Sequence, residues 1–137
     1  MGRAKTIVPL LLFLAIGSSC RKELDVRISS PKDNAAVPEQ PVVQGTVSDA
    51  RATVWVVVHP LETEVNTEYW VQPEAEVKGD GTWTAEVYVG DPGKEDVGKQ
   101  FVLMAVANPK KTLTDDDVLT TWPASAAQSD VVSVTRK

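Results

Sequence analysis

Residues 53–58 read Thr-Val-Trp-Val-Val-Val and run on into His59, with Asp49, Ala50 and Arg51 before them and Pro60 after. β-Branched and aromatic side chains at such density, closed off by turn residues, read as a strand. Val54, Val56 and Val58 would share one face, and Thr53, Trp55 and Val57 the other, so both faces are mostly apolar. A strand with two apolar faces belongs in the middle of a sheet that is covered on both sides.

The flanking chain breaks into further extended runs. Residues 25–30 (DVRISS) make a short first strand, and 42–47 (VVQGTV) a second, with Gly45 a point of bulging or close approach. Residues 61–68 are polar and acidic, a loop by composition. Residues 69–77 (YWVQPEAEV) form a fourth run that Pro73 must either split or confine to an edge. Residues 78–81 (KGDG) are a hairpin turn, followed by the alternating run 82–89 (TWTAEVYV). After the loop 90–99, residues 101–107 (FVLMAVA) are again apolar on both faces, and 129–136 (SDVVSVTR) make the last run. Between these two, 112–121 (TLTDDDVLTT) predicts one short helix, with Thr114 as N-cap, Asp115–Asp117 in the first turn and Pro123 stopping the chain beyond it. Seven extended runs at short spacing predict an all-β sandwich, with 53–58 and 101–107 adjacent in one sheet and the helix covering part of its outer face.

The chain's 137 residues make room for one domain, and 42% hydrophobic content supplies a core without staples. A formal charge of -5 argues against nucleic acid as a partner, which calls for a basic patch. One cysteine forbids an intrachain disulfide, and one histidine removes most metal and His-based catalytic schemes. No G-x-S-x-G elbow and no Gly-rich phosphate loop is present. Catalytic residues, metal ligands and cofactors are therefore all expected to be none.

The first twenty residues read as an address. Arg3 and Lys5 give a basic start, 7–16 an apolar run too short to span a bilayer, and Gly17, Ser18, Ser19 and Cys20 a small-residue end. Residues 1–19 are thus a cleaved signal peptide, 20–25 a short tether and 26–137 the folded domain. Ser18, Ser19 and Cys20 resemble the lipobox of bacterial lipoprotein precursors, whose cysteine is acylated with fatty acids such as palmitate and becomes the new N-terminus. Gly17 stands where that family usually carries leucine, and ordinary cleavage after Ser19, giving a secreted or periplasmic soluble protein, is the alternative. The resemblance implies lipidation at Cys20 and, with Arg21 next, the outer rather than the inner membrane. Loss of Arg3 and Lys5 takes the charge from -5 to -7, so an anionic surface would repel the domain.

Residues 28–33 (ISSPKD), 43–47 (VQGTV), 54–58 (VWVVV) and 80–84 (DGTWT) together resemble the bacterial immunoglobulin-like, or fibronectin-III-like, domains of secreted and surface proteins. That resemblance implies a seven-stranded Greek-key sandwich with Trp55 in the core. It also implies a spacer, adhesin or binding module in the cell envelope rather than an enzyme. The antibody-type cysteine pair is absent, and 111–123 is an addition to the minimal fold.

Candidate sites are few. His59 with Glu62 and Glu64 is a weak ligand set, one imidazole with carboxylates on a loop. Successive Asp115–Asp117 lack the spacing of a calcium loop, and Glu74 with Glu76 reads as solvated charge. Tyr69, Trp70 and Trp122 lie in the less regular parts of the chain, where flat rings can anchor an envelope protein partner, or bind a glycan if they are coplanar; alternatively, they close the ends of the sandwich.

Overall fold

The apolar runs become two hydrogen-bonded sheets. The computed structural model describes residues 23–61 and 67–137, so the signal peptide, Cys20 and the grouping of His59 with Glu62 and Glu64 lie wholly or partly outside the described residues. The strands are β1 (Val26–Ser30), β2 (Ala35–Val37), β3 (Val42–Val47), β4 (Val54–Pro60), β5 (Tyr69–Val71) and β6 (Glu76–Val77). They continue with β7 (Thr82–Glu86), β8 (Gln100–Pro109), β9 (Val118–Leu119), β10 (Ser125–Gln128) and β11 (Val132–Arg136). One sheet has the order β1-β3-β7-β6. The other has the order β2-β11-β8-β4-β5-β9, and β10 also pairs with β8. All neighbours are antiparallel except β2 and β11.

The two-sided runs are neighbours, as expected. β4 and β8 pair over seven registered positions, from Val54 opposite Ala107 to Pro60 opposite Phe101. Alternation then sorts their side chains. Val54, Val56, Val58, Phe101, Leu103, Ala105 and Ala107 turn inward and meet Val43, Val47, Trp83 and Ala85 of the facing sheet. Val57, Met104 and Val106 turn outward, where Val71 and Leu113 join them in a second apolar cluster. Each fully buried valine or leucine contributes about 1.5–3 kcal/mol, so both faces of this pair hold the fold together.

Three expectations need correction. First, Trp55 is not in the central core. It points outward from β4, half-buried against the second cluster, and Trp83 occupies the centre instead. Both faces of 53–58 are apolar, so hydrophobicity alone left open which one faced inward.

Second, there is no helix among the described residues, and 112–121 forms a strap. Thr114 and Asp117 close a turn, with the Thr114 amide donating to Asp117 Oδ2 at 2.9 Å and the Asp117 amide to the Thr114 carbonyl at 3.1 Å. Asp116 within that turn has φ 73°, which a right-handed helix does not allow. Val118 and Leu119 then pair with Trp70 and Tyr69 as an added edge strand. A single helical turn carries its nucleation cost with little return, whereas the strap supplies partners to the otherwise open edge of β5. The strap still covers the outer face, bringing Leu113, Leu119 and Trp122 onto the second cluster.

Third, the seven runs resolve into eleven strand segments among the described residues. β2, β9 and β10 are additional, and the fourth run splits at Pro73. Its first half, β5, belongs to the β4 sheet and its second, β6, to the β7 sheet. Gln72 fixes the crossing: its amide donates to the Val56 carbonyl at 3.0 Å, and its buried side chain accepts from the Tyr88 amide at 2.8 Å.

The hairpin expected at 78–81 joins β6 to β7. Gly81 takes φ 88° and sits against the Val47 carbonyl, which would lie 2.6 Å from an added Cβ, so glycine is required there. Asp80 Oδ1 accepts from the Thr82 hydroxyl at 2.7 Å and the Thr82 amide at 3.0 Å. Those bonds, the hydroxyl's first, hold the Asp80 carboxyl below its ordinary 3.8. A depressed carboxyl stabilises the fold above its unfolded-state pKa and loses that contribution as pH falls through the folded value. NMR titration is therefore expected to place Asp80 below 3.8 in the native chain and return it toward that value in Thr82→Val; an unshifted Asp80 in the native chain would contradict the hairpin geometry.

The chain enters and leaves the sandwich at opposite ends. Val26 pairs with Val47 beside the 48–53 turn, whereas Arg136 pairs with Val37 beside the 90–99 loop.

Candidate functional site

The three aromatic residues singled out in the sequence fall on two faces. Tyr69 and Val71 alternate with Trp70 along β5, so Tyr69 turns outward and Trp70 inward. Tyr69 stacks on His59 with ring centres 3.9 Å apart and planes 4° apart, and meets Trp122 edge-on at 4.8 Å. His59 Nδ1 lies 2.8 Å from the Glu68 carbonyl, which accepts from the protonated nitrogen. Trp70 instead approaches Phe101 at 6.3 Å, and its Nε1 donates to Glu68 Oε1 at 3.0 Å. Tyr69 and Trp122 lie 69° from coplanar, so these rings form a cluster rather than a flat platform. Beside Trp122, the strap bounds a groove of about 350 Å³ with Leu113, Leu119, Lys110 and Lys111.

A larger surface lies where the two sheets part. Between β5, the strap and the end of the β7 run is a hollow of about 560 Å³, lined among others by Trp70, Tyr88, Asp91, Asp115 and Asp116. Next to it, over the outer face of β3, β7 and β6, lies one of about 490 Å³, lined by Val42, Glu74, Glu76, Glu86 and Tyr88. Pro73 and Tyr88 border both, so the two form one trough. The strap covers the outer face of the β4 sheet, but the outer face of the β7 sheet lies open here. Glu74 and Glu76, read as solvated charge, are on this face, and Asp115 and Asp116, expected in the first turn of a helix, are on its rim.

Among the described residues, no group of three His, Cys, Asp or Glu side chains is placed to hold a metal ion. None of the described residues forms a helix long and apolar enough to cross a membrane. No protein-family model matches the chain, and no curated protein matches it.

Sequence reasoning missed Arg136. Its side chain is only 2% exposed, and it donates from Nη1 to the Val89 and Asp91 carbonyls at 2.8 Å each and from Nη2 to the Gly93 carbonyl at 2.6 Å. Glu39 lies 3.6 Å from Nη2. The signal was present: Val132, Val134 and Arg136 share one face of the last strand, so alternation places this cation on the side of the two buried valines. By pinning the 89–93 segment, Arg136 fixes one wall of the trough near Asp91.

Proposed function

We propose that the protein is an exported, lipid-anchored component of a bacterial cell envelope that works as a protein-interaction or structural module built on an immunoglobulin-like Greek-key sandwich. The observation that carries this reading is the shortness of the link between Cys20 and the first paired residue, Val26. The five residues between them reach roughly 17 Å when fully extended, which keeps an acylated domain beside its membrane. The first strand starts at the tethered end and the last one finishes at the other, so the sandwich presents its far end away from the anchor. Acyl chains, at about 0.8 kcal/mol per buried CH₂, would hold it there durably. Binding rather than catalysis suits a surface whose polar groups are spread over an open sheet face and are not converged in a closed cleft.

Cross-linking in intact cells, followed by purification under denaturing conditions, tests the interaction reading. The expected result is a defined adduct with another envelope protein. Recovery of the uncross-linked chain alone would count against it.

A further inference from the structure

The trough is one-sided in charge. Glu74, Glu76, Glu86, Asp91, Asp115 and Asp116 all line it, and none of their carboxylates makes an ion pair or side-chain hydrogen bond within the described residues. No described lysine, arginine or histidine lines either half. Elsewhere several acids are paired: Asp25 with Arg27, Asp49 with Arg51 and Asp96 with Lys99. Six uncompensated carboxylates around one concavity raise the local negative potential and favour a cationic partner.

The same surface carries apolar anchors. Val42, Tyr88 and Val118 line the trough with 49%, 50% and 58% of their surface exposed. Exposed apolar groups gathered in a groove mark an interaction surface, and the Tyr88 ring adds a face that attracts an ammonium or guanidinium. Because the two hollows join at Pro73 and Tyr88, the occupant must be long enough to lie across both.

We propose that this trough is the docking surface of the module and that its partner is an extended polypeptide segment in which lysine or arginine and apolar residues alternate along the side that faces it. In an extended chain successive side chains point to opposite sides, so that row is supplied by every second residue. Cations would meet Glu76 and Glu86 at one end and Asp115 and Asp116 at the other, and an apolar residue would rest on Val42, Tyr88 or Val118. The partner class rests on the interaction reading given above.

The test uses the full chain, purified in mild detergent, and a fluorescent peptide of Lys-Lys-Val-Val repeats, which shows both residue types on each side when extended, with a peptide of Glu-Glu-Val-Val repeats as control. The lysine peptide is expected to bind and the glutamate peptide not to. Glu76→Gln/Glu86→Gln/Asp115→Asn/Asp116→Asn is expected to weaken binding by at least about tenfold, and Tyr88→Ser by several-fold. Asp25→Asn/Asp33→Asn/Asp49→Asn/Asp130→Asn removes the same charge outside the trough and should leave binding within about twofold, with circular dichroism confirming that both variants fold. Equal weakening by both quadruple variants, or no binding of the lysine peptide, would overturn the proposal. Peptide binding by protein from its native cells that mass spectrometry shows to carry no acyl chains would sink the anchored reading and leave the trough standing. An acylated protein that ignores the peptide would do the reverse.

Discussion

Replacing Arg136 by alanine is expected to destabilise the domain by about 3–5 kcal/mol, the cost of dismantling a buried, hydrogen-bonded charge site from one side. The guanidinium donates from its two terminal nitrogens to the Val89, Asp91 and Gly93 carbonyls, with Glu39 close by. Truncation leaves those acceptors to find water or move, and each orphaned buried group costs about 1–3 kcal/mol. For a domain of this size a loss of that kind lowers the melting temperature by roughly 10 °C or more. Arg136→Lys keeps the charge but not the fork, so it should fall between alanine and the native chain. Thermal unfolding followed by tryptophan fluorescence reads both; an alanine variant within about 0.5 kcal/mol of native, the range of an ordinary surface substitution, would show that the carbonyl cage is not holding the 89–93 segment.

The second large effect is expected at Gly45. A Cβ added there would collide with the Arg27 carbonyl on β1 and with the Trp83 ring, whose Cε2 would lie 2.6 Å away. The backbone oxygen is the decisive neighbour, since a side chain can swing aside and a paired strand cannot without giving up its ladder. Gly45→Ala is therefore expected to cost about 3 kcal/mol or more, the upper range for overpacking. Combining it with Trp83→Phe should not rescue it, because the strand–strand collision persists. Urea unfolding of the two single variants and the double variant gives the answer: full rescue by the smaller ring would mean that side-chain crowding, not strand spacing, makes glycine necessary.

These two positions also show what could be read from the sequence and what could not. Gly45 was legible as a close-approach point, because a glycine inside a β-branched run has few other uses. The pairing of β4 with β8 was legible because only a central position accommodates two apolar faces. Which of those faces met the other sheet was not, since exchanging Val56 for Trp55 on the inside leaves the pattern equally apolar; only the position of Trp83 across the core decides it. The strap was misread because Thr114, three aspartates and a later proline satisfy helix-start and helix-stop chemistry. The competing benefit, an edge on β5 for Val118 and Leu119 to pair with, is a long-range contact that local chemistry cannot report. The same reason hid the trough. Glu74 to Glu86 and Asp91 to Asp116 are separated along the chain, and their convergence comes from the switch of sheets at Pro73 and from the strap returning beside β5. Tyr69, Trp70 and Trp122 all lie in the less regular parts of the sequence, yet alternation along β5 puts Trp70 on the other face from Tyr69.

We propose that this sandwich sits in the envelope on a lipid attached at Cys20, with its open face turned to a partner. Metabolic labelling with a clickable palmitate analogue, comparing the native chain with Cys20→Ala, tests it most directly. The expected result is label on the native protein in the membrane fraction and none on the variant. An unlabelled native protein with a free Cys20 thiol, found in the soluble fraction, would contradict it.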